Sequence, residues 1–272
     1  MGQNIAFHLV ARARPGRTPF ANDEIARQVW TALRKTFPES AACALMPNHL
    51  HLITRGNPNS LPRKLAALLI PVKKGLGVVD LWDPVPQPIG IPDRHHLLRQ
   101  IRYVHLNPCR AKLARDPLEW EWSTHRDWVG AVLDPWPDIA YWSKALGWSA
   151  IGVGDRLHRY TSADSAVQVV GTAPPQRAKT EGRSSADWGL SQIGEVVSIA
   201  ARAPRSPQLL KGAHRSLCIR AARLLTRYSD AELARWAKVN RSSLSRLTQG
   251  LSEHEASVLR LILSDQRLRF HP

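Results

Sequence analysis

Residues 44–54 read Ala-Leu-Met-Pro-Asn-His-Leu-His-Leu-Ile-Thr. From Leu50 to Ile53 apolar residues are interleaved with His51. That is the pattern of a half-buried strand, in which every second residue shares a face. His49 and His51 therefore point the same way. Two imidazoles about 7 Å apart along one strand can converge on a single divalent metal if a third ligand comes from elsewhere in the fold. On this tripeptide alone the plainer reading, two histidines that merely alternate, stays open.

Working back from this stretch, residues 4–13 read as a first strand, with Ile5, Phe7 and Leu9 on one face and His8 and Val10 on the other. Arg12, Arg14 and Arg17 follow, a cluster suited to phosphates or simply to a solvated loop. Asn22 then caps a helix that has Asp23 and Glu24 in its first turn. Ile25, Val29, Leu33 and Phe37 fall at helical spacing before Pro38 stops it. This gives strand, helix, strand, an order that places both strands in one sheet with the helix across it.

Working forward, Ser60 opens a helix through Leu61, Leu65, Leu68 and Leu69 that is expected to end before Pro71. Prolines in residues 72–94 argue against a regular internal strand, so an irregular loop is expected, with a short strand near residues 77–82. In residues 95–113, Leu97, Leu98, Ile101 and Val104 mark an amphipathic helix. Tyr103 and Asn107, four apart, face the same side. Pro108 disfavours the α region at Asn107, which is expected at the helix's fraying end. A tyrosine phenol, with a pKa of about 10, is a poor nucleophile at neutral pH. A metal that polarises a phosphodiester makes its attack feasible, and Asn107 would complete a His-His-Asn site beside it. A partly buried tyrosine with a bonded hydroxyl is the plainer reading.

The net charge of +16, with a pI near 10.7, favours polyanionic partners, nucleic acid first and an anionic membrane second. A chain of 272 residues, 43% hydrophobic, makes one or two domains. No run of about 18 apolar residues and no leader pattern is seen, so a cytoplasmic protein that does not enter membranes is expected. Cys43, Cys109 and Cys218 lie far apart and suggest neither a disulfide framework nor a cysteine zinc site. Seven of the ten tryptophans fall between Trp82 and Trp148. Most tryptophans are core, but Trp82, in the proline-rich loop, is the best candidate to stack on an unpaired base.

Residues 152–207 are rich in Ser, Ala, Gly and Pro and read as a partly ordered extension and linker, with a short helix possible near residues 189–202. Beyond them the chain is helical and basic, residues 200–272 carrying 14 Lys and Arg against 5 Asp and Glu. One helix spans residues 214–227. Ser229 with Glu232 boxes the start of a second, through Trp236; Asn240 leads a third through Gln249; Ser252 with Glu255 starts a fourth. The second and third have the length of a helix-turn-helix that offers Arg241, Ser242, Ser243, Ser245 and Arg246 to duplex DNA. A small bundle with a solvated basic face is the alternative.

Met-Pro-Asn-His-Leu-His-Leu-Ile, followed about fifty residues later by Arg-Tyr-Val-His-Leu-Asn-Pro-Cys-Arg-Ala, resembles the single-tyrosine HUH transposases, particularly the REP-associated tyrosine transposases. The resemblance runs from about residue 4 to residue 130, where Glu121-Trp122-Ser123 and Arg126 are similar to the family's Trp-Ser-Ser segment. It implies an α+β fold, a ferredoxin-like antiparallel sheet with helices on one face. It also implies magnesium or manganese held by His49 and His51, with Asn107 at the third ligand's position. Tyr103 would be the nucleophile, attacking a single-stranded DNA hairpin to give a 5′-phosphotyrosine and a free 3′-hydroxyl. The C-terminal segment is similar to the DNA-binding domain of the replication initiator DnaA.

The expected organisation is therefore a catalytic domain in residues 1–150, an extension in 151–207 and a helix-turn-helix domain in 208–272, working as a monomer or homodimer. One departure from the family is that Leu81-Trp82-Asp83-Pro84-Val85-Pro86 lacks the basic residues of a Leu-Trp-x-Gly-Arg-x-Lys-like strand. It favours an alternative, a domesticated sequence-specific DNA-binding regulator with little or no nuclease activity. A zinc hydrolase built on His49 and His51 is disfavoured because no carboxylate lies near them in sequence.

Overall fold

A computed structural model describes residues 4–173, 188–204, 211–247 and 250–269. The chain divides into two units, residues 1–129 with 135–174 and residues 130–134 with 175–272. The first begins β1 (Ala6–Arg12), a 3-10 turn, α1 (Asp23–Thr36), β2 (Ser40–Met46), β3 (His49–Thr54), α2 (Leu61–Gly75) and β4 (Ile89–Ile91). These strands form one antiparallel sheet in the order β2-β3-β1-β4. A strand-helix-strand repeated twice in this order is the ferredoxin-like arrangement of the α+β class. It is followed by α3 (Arg94–Arg110), α4 (His125–Val129), α5 (Ile139–Ala145) and α6 (Val153–Ser162).

Alternation along the strands divides two cores. Leu9, Cys43, Leu45, Leu50 and Leu52 face α1 and α2, meeting Val29, Trp30, Leu33, Leu65 and Leu69. Ala42, Ala44 and Ile53 face the other way and meet Leu97, Ile101 and Val104 of α3. The two crossover helices thus lie on one face as expected, while α3, which follows the motif, covers the other. Small alanines on β2 let α3 come close, and that approach brings its residues over the histidine strand.

Two helix ends differ from the expectation set by proline. α2 runs through Pro71 to Gly75 because the lost hydrogen bond falls on the exposed side of the helix, at Ala67. α3 runs through Pro108 to Arg110, since Leu106 and Cys109 bury themselves with Val167 and hold the last turn. Asn107 is therefore inside the helix rather than at a fraying end. The short strand expected near residues 77–82 falls instead at β4, and Trp82 makes only a single bridge with Ala13.

The outer edge of β2 would leave carbonyls and N–H groups open to another strand. A tryptophan-rich strap closes it. Leu45 N–H donates to the Trp122 carbonyl, and Thr124 N–H to the Cys43 carbonyl. The indoles of Trp120 and Trp128 donate to the carbonyls of Leu45 and Ala41, each at 2.8 Å, and Trp136 donates to Phe37 at 2.9 Å. Arg126, fully buried, donates to the carbonyls of Leu118 and Glu119 and holds the strap's turn. A Cβ at Gly154 would stand 2.6 Å from the Trp128 carbonyl, so glycine there lets α6 pack on α4.

The second unit is helical: α7 (Leu190–Ala201), α8 (Ala213–Leu225), α9 (Asp230–Ala237), α10 (Arg241–Leu247), α11 (Glu253–Ser264) and α12 (Gln266–Arg269). Ser229 with Glu232 and Ser252 with Glu255 form the capping boxes read from the sequence. Lys238, in the left-handed region at φ 51°, turns the chain from α9 into α10. α10 is described to Leu247; the expected continuation at residues 248–249 lies outside the described residues. Of the stretch expected as an extension, α6 belongs to the first unit and α7 to the second, and residues 174–187 and 205–210 lie outside the described residues. Among the described residues no helix is long and apolar enough to cross a membrane.

Candidate functional site

β2 and β3 are joined by a two-residue turn at Pro47 and Asn48, which brings His49 to the start of β3. His49 and His51 share the α3 side of the sheet, their ring centroids 5.0 Å apart. In the pairing of β1 with β3, Val10 lies opposite His51 and His8 opposite Ile53, so His8 is the diagonal neighbour of His51. Its Nε2 stands 2.9 Å from His51 Nδ1. Tyr103, on α3, presents its ring edge-on to both, with centroids 5.4 Å from His51 and 6.2 Å from His8. The tyrosine is 40% exposed, whereas His51 is only 4% exposed.

Burial is the largest cause of the low basicity of all three imidazoles. It lowers His51 to about 3, helped by the neighbouring His8, His49 and Arg12. His49 falls to about 4, through burial and then Arg12, its partner across the sheet. His8 also falls to about 4 through burial, against a hydrogen bond to Gln100 that raises it. All three are neutral at pH 7.

The hydrogen bonds then fix which nitrogens carry lone pairs. His49 Nδ1–H donates to Asn48 Oδ1 at 2.7 Å, leaving its Nε2 to accept. If Gln100 accepts from His8 Nδ1–H, the assignment that satisfies both bonds has His51 Nδ1–H donating to His8 Nε2, which leaves His51 an Nε2 lone pair. A metal-binding histidine has this arrangement, one nitrogen oriented by a neighbour and the other open. Asn107 lies one turn beyond Tyr103, and its Nδ2 is buried with no hydrogen-bond partner. That atom is an N–H donor and does not itself ligate a cation, so the Asn107 side chain would offer a metal only its Oδ1. Two neutral imidazoles and a carboxamide are a donor set that a divalent cation accepts. Among the described residues no group of three His, Cys, Asp or Glu side chains stands ready to hold a metal.

Arg110 lies over the Tyr103 ring, its guanidinium carbon 4.9 Å from the centroid. It donates to the Tyr103 carbonyl at 3.2 Å and is held by Asp164 at 3.1 Å. Arg12 is exposed beside His49. Arg14 and Arg17 are exposed in the following loop, Arg14 4.0 Å from Asp80. Trp82 is half-buried against Phe20, centroids 5.4 Å apart, and its indole donates to the Leu69 carbonyl at 3.3 Å. It thereby anchors the proline-rich loop to α2. In α10, Arg241, Ser242, Ser245 and Arg246 are exposed and Ser243 is half-buried.

The sequence did not single out His8, Gln100, Asn48 or Arg110. His8 carried a signal, since it alternates with the core residues Phe7 and Leu9 and so had to face α3. Its meeting with His51 depends on the register of β1 against β3, which no local pattern specifies. His105, two residues from Tyr103, is fully buried on the other side of α3.

No family model and no curated protein matches the chain. Among solved structures, the chain matches that of a REP-associated tyrosine transposase bound to a REP hairpin, at 17% identity and a TM-score of 0.40. The match covers 47% of this chain and 80% of that one.

Proposed function

We propose that the chain is a divalent-metal-dependent endonuclease and strand transferase for single-stranded DNA, with Tyr103 as nucleophile. The observation that carries this reading is the 40% exposed Tyr103, its ring edge-on to His51 at 5.4 Å, with His49 beside His51 at 5.0 Å on the same strand face. His49, His51 and Asn107 would hold the cation. When bound, Mg2+ or Mn2+ would draw charge from the phosphate oxygens.

Tyr103 Oη attacks the phosphorus of a single-stranded phosphodiester. A bond from Oη to phosphorus forms as the bond from phosphorus to the 3′ oxygen breaks, giving a 5′-phosphotyrosine and a free 3′-hydroxyl. The phenolic proton is lost and the departing oxygen gains one, so the step is proton-neutral. In the reverse step a 3′-hydroxyl attacks the phosphotyrosine and reseals or joins a strand. Arg12 flanks the site and offers a cationic donor to phosphate, while Arg110, bonded to Asp164, lies over the Tyr103 ring. Exposed Arg241, Ser242, Ser245 and Arg246 on α10, with Ser243, supply duplex contacts through the second unit.

The test is incubation of the purified protein with labelled hairpin-bearing single strands, with and without Mn2+. A covalent adduct is expected, dependent on metal and lost in Tyr103→Phe by at least about a thousandfold. Tight binding with no adduct under any metal would support the second reading, a DNA-binding regulator. That reading has an observation of its own: the loop after Trp82, Asp83-Pro84-Val85-Pro86, carries no cation to hold a strand.

A further inference from the structure

A second cation-lined feature of the first unit lies at the opposite end of α3. Arg94 precedes Tyr103 by nine residues, which is about 13 Å along a helix rising 1.5 Å per residue. Here a cavity of about 440 Å3 opens between the first turns of α3, the turn after α5, and α6. Leu98, Leu146 and the rings of Trp148 and Tyr160 make its apolar wall, and Arg94 and Arg156 supply its charge.

The arginines of α3 differ in how they are neutralised. Arg102 and Arg110 both pair with Asp164, at 3.5 and 3.1 Å. Arg94 and Arg156 pair with no carboxylate among the described residues, and no Asp or Glu lines the cavity. Arg156 lies with its guanidinium carbon 4.2 Å from the Trp148 ring centroid, which orders it without cancelling its charge. Gly147, at φ 71°, puts the turn beneath Arg94, and a Cβ there would stand 3.0 Å from the Arg94 Nη1. Two uncompensated guanidiniums over an aromatic and aliphatic wall suit a ligand that is planar and apolar at one end and anionic at the other. A base held in a duplex cannot enter a cavity without leaving its stack, whereas an unpaired one enters at little cost.

We infer that this cavity takes one unpaired nucleotide of a DNA single strand, its base against Leu98, Leu146 and the edge of Trp148 and its phosphate between Arg94 and Arg156. The inference rests on the proposed single-strand chemistry for the identity of the ligand, and its site is separate from the residues of that chemistry. It gives the strand a second point of attachment beyond Tyr103. The arginine that holds it from α6 is placed by the packing of Gly154 against α4, in a segment that sequence alone reads as an extension.

The test measures binding of the full chain to a short labelled single strand by fluorescence anisotropy, without metal, so that cleavage plays no part. Arg94→Ala and Arg156→Ala, both exposed positions, are each expected to weaken binding roughly tenfold, the loss of one charge-assisted hydrogen bond. Arg99→Ala, exposed on the same helix and outside the cavity, controls for bulk charge and is expected to change binding less than about twofold. Deoxynucleoside 5′-monophosphate should compete only weakly, because a single nucleotide lacks the rest of the strand's attachment. Competition as strong as that of the strand would overturn the inference in favour of a free-nucleotide site. Equal losses in all three variants, or none, would overturn it as well. If wild-type protein forms no adduct with any metal yet the two arginine variants alone lose strand binding, the cavity stands and the nuclease reading fails. If both variants bind like wild type and adducts form normally, the cavity fails and the nuclease reading stands.

Discussion

The first unit contains two histidine clusters of nearly the same local geometry. In one, His8 and His51 meet at 2.9 Å, with His49 beside them. In the other, His125 Nδ1 lies 3.1 Å from His105 Nδ1, and His125 Nε2 lies 3.0 Å from His158 Nδ1. Burial lowers His105 to about 3, much as it lowers His51. Imidazole contacts and low basicity therefore do not distinguish the two clusters. Access and orientation do. His105, His125 and His158 are all fully buried, and His105 and His125 spend nitrogens on Thr124 and on their histidine neighbours. The β-strand cluster ends instead at Tyr103, 40% exposed, with two Nε2 lone pairs turned from their orienting partners.

Substitution at the centre of each cluster tests this contrast most sharply. His51→Ala is expected to reduce metal-dependent adduct formation per folded molecule by about a thousandfold or more and, because it removes a buried ring bonded to His8, to cost about 1–3 kcal/mol in urea unfolding. His125→Ala should also destabilise, costing about 2–4 kcal/mol in urea unfolding through a cavity and broken buried hydrogen bonds, but with adduct yield per folded molecule within about threefold of wild type. Equal effects on both readouts in both variants would show that the clusters do not differ in kind. A smaller effect is expected at His8, which acts on the reaction through His51. His8→Gln should shift the Mn2+ concentration for half-maximal activity upward by about 10–100-fold, with activity recovering at saturating metal. A loss that no metal concentration restores would mean that His8 acts on the strand or on Tyr103 instead.

The two clusters also show how much a single sequence displays. The strand shared by His49 and His51 and the helix that carries Tyr103 and Asn107 one turn apart were legible because those spacings are local: two residues along a strand, four along a helix. The sheet was legible for the same reason, since Leu9, Leu50 and Leu52 alternate and Val29 and Leu33 repeat at helical spacing. What depends on register or on packing between distant segments was not. His8 reaches His51 across 43 residues, and His125 reaches His158 across 33. The tryptophans were read as mostly core, and Trp122, Trp128, Trp136 and Trp142 are buried, but the further use of Trp120 and Trp128 as hydrogen-bond donors to the edge of β2 was not legible. Pro71 and Pro108 misled at the helix ends, because buried neighbours and exposed carbonyls decide whether a helix tolerates proline.

Acid separates the two clusters by a further and smaller effect. His105 ordinarily titrates near 6.5 and in the fold is lowered to about 3, with Asp127 pulling weakly the other way. The unfolded chain therefore binds a proton that the folded chain refuses throughout that interval. Stability from this group is complete above about pH 6.5 and is lost progressively as pH falls toward about 3, with a slope approaching 1.4 kcal/mol per pH unit for one proton. Urea unfolding at about pH 7 and about pH 5 measures it, and His105→Gln, which cannot titrate, should flatten the slope relative to wild type. At the accessible cluster the same depression predicts a different outcome. His49 and His51, lowered to about 4 and about 3, stay neutral at about pH 5, so protons compete little for their Nε2 lone pairs and thermal stabilisation by Mn2+ should persist there. If that stabilisation instead vanishes between about pH 7 and about pH 6, these imidazoles titrate as if in water, and burial does not prepare them for a metal.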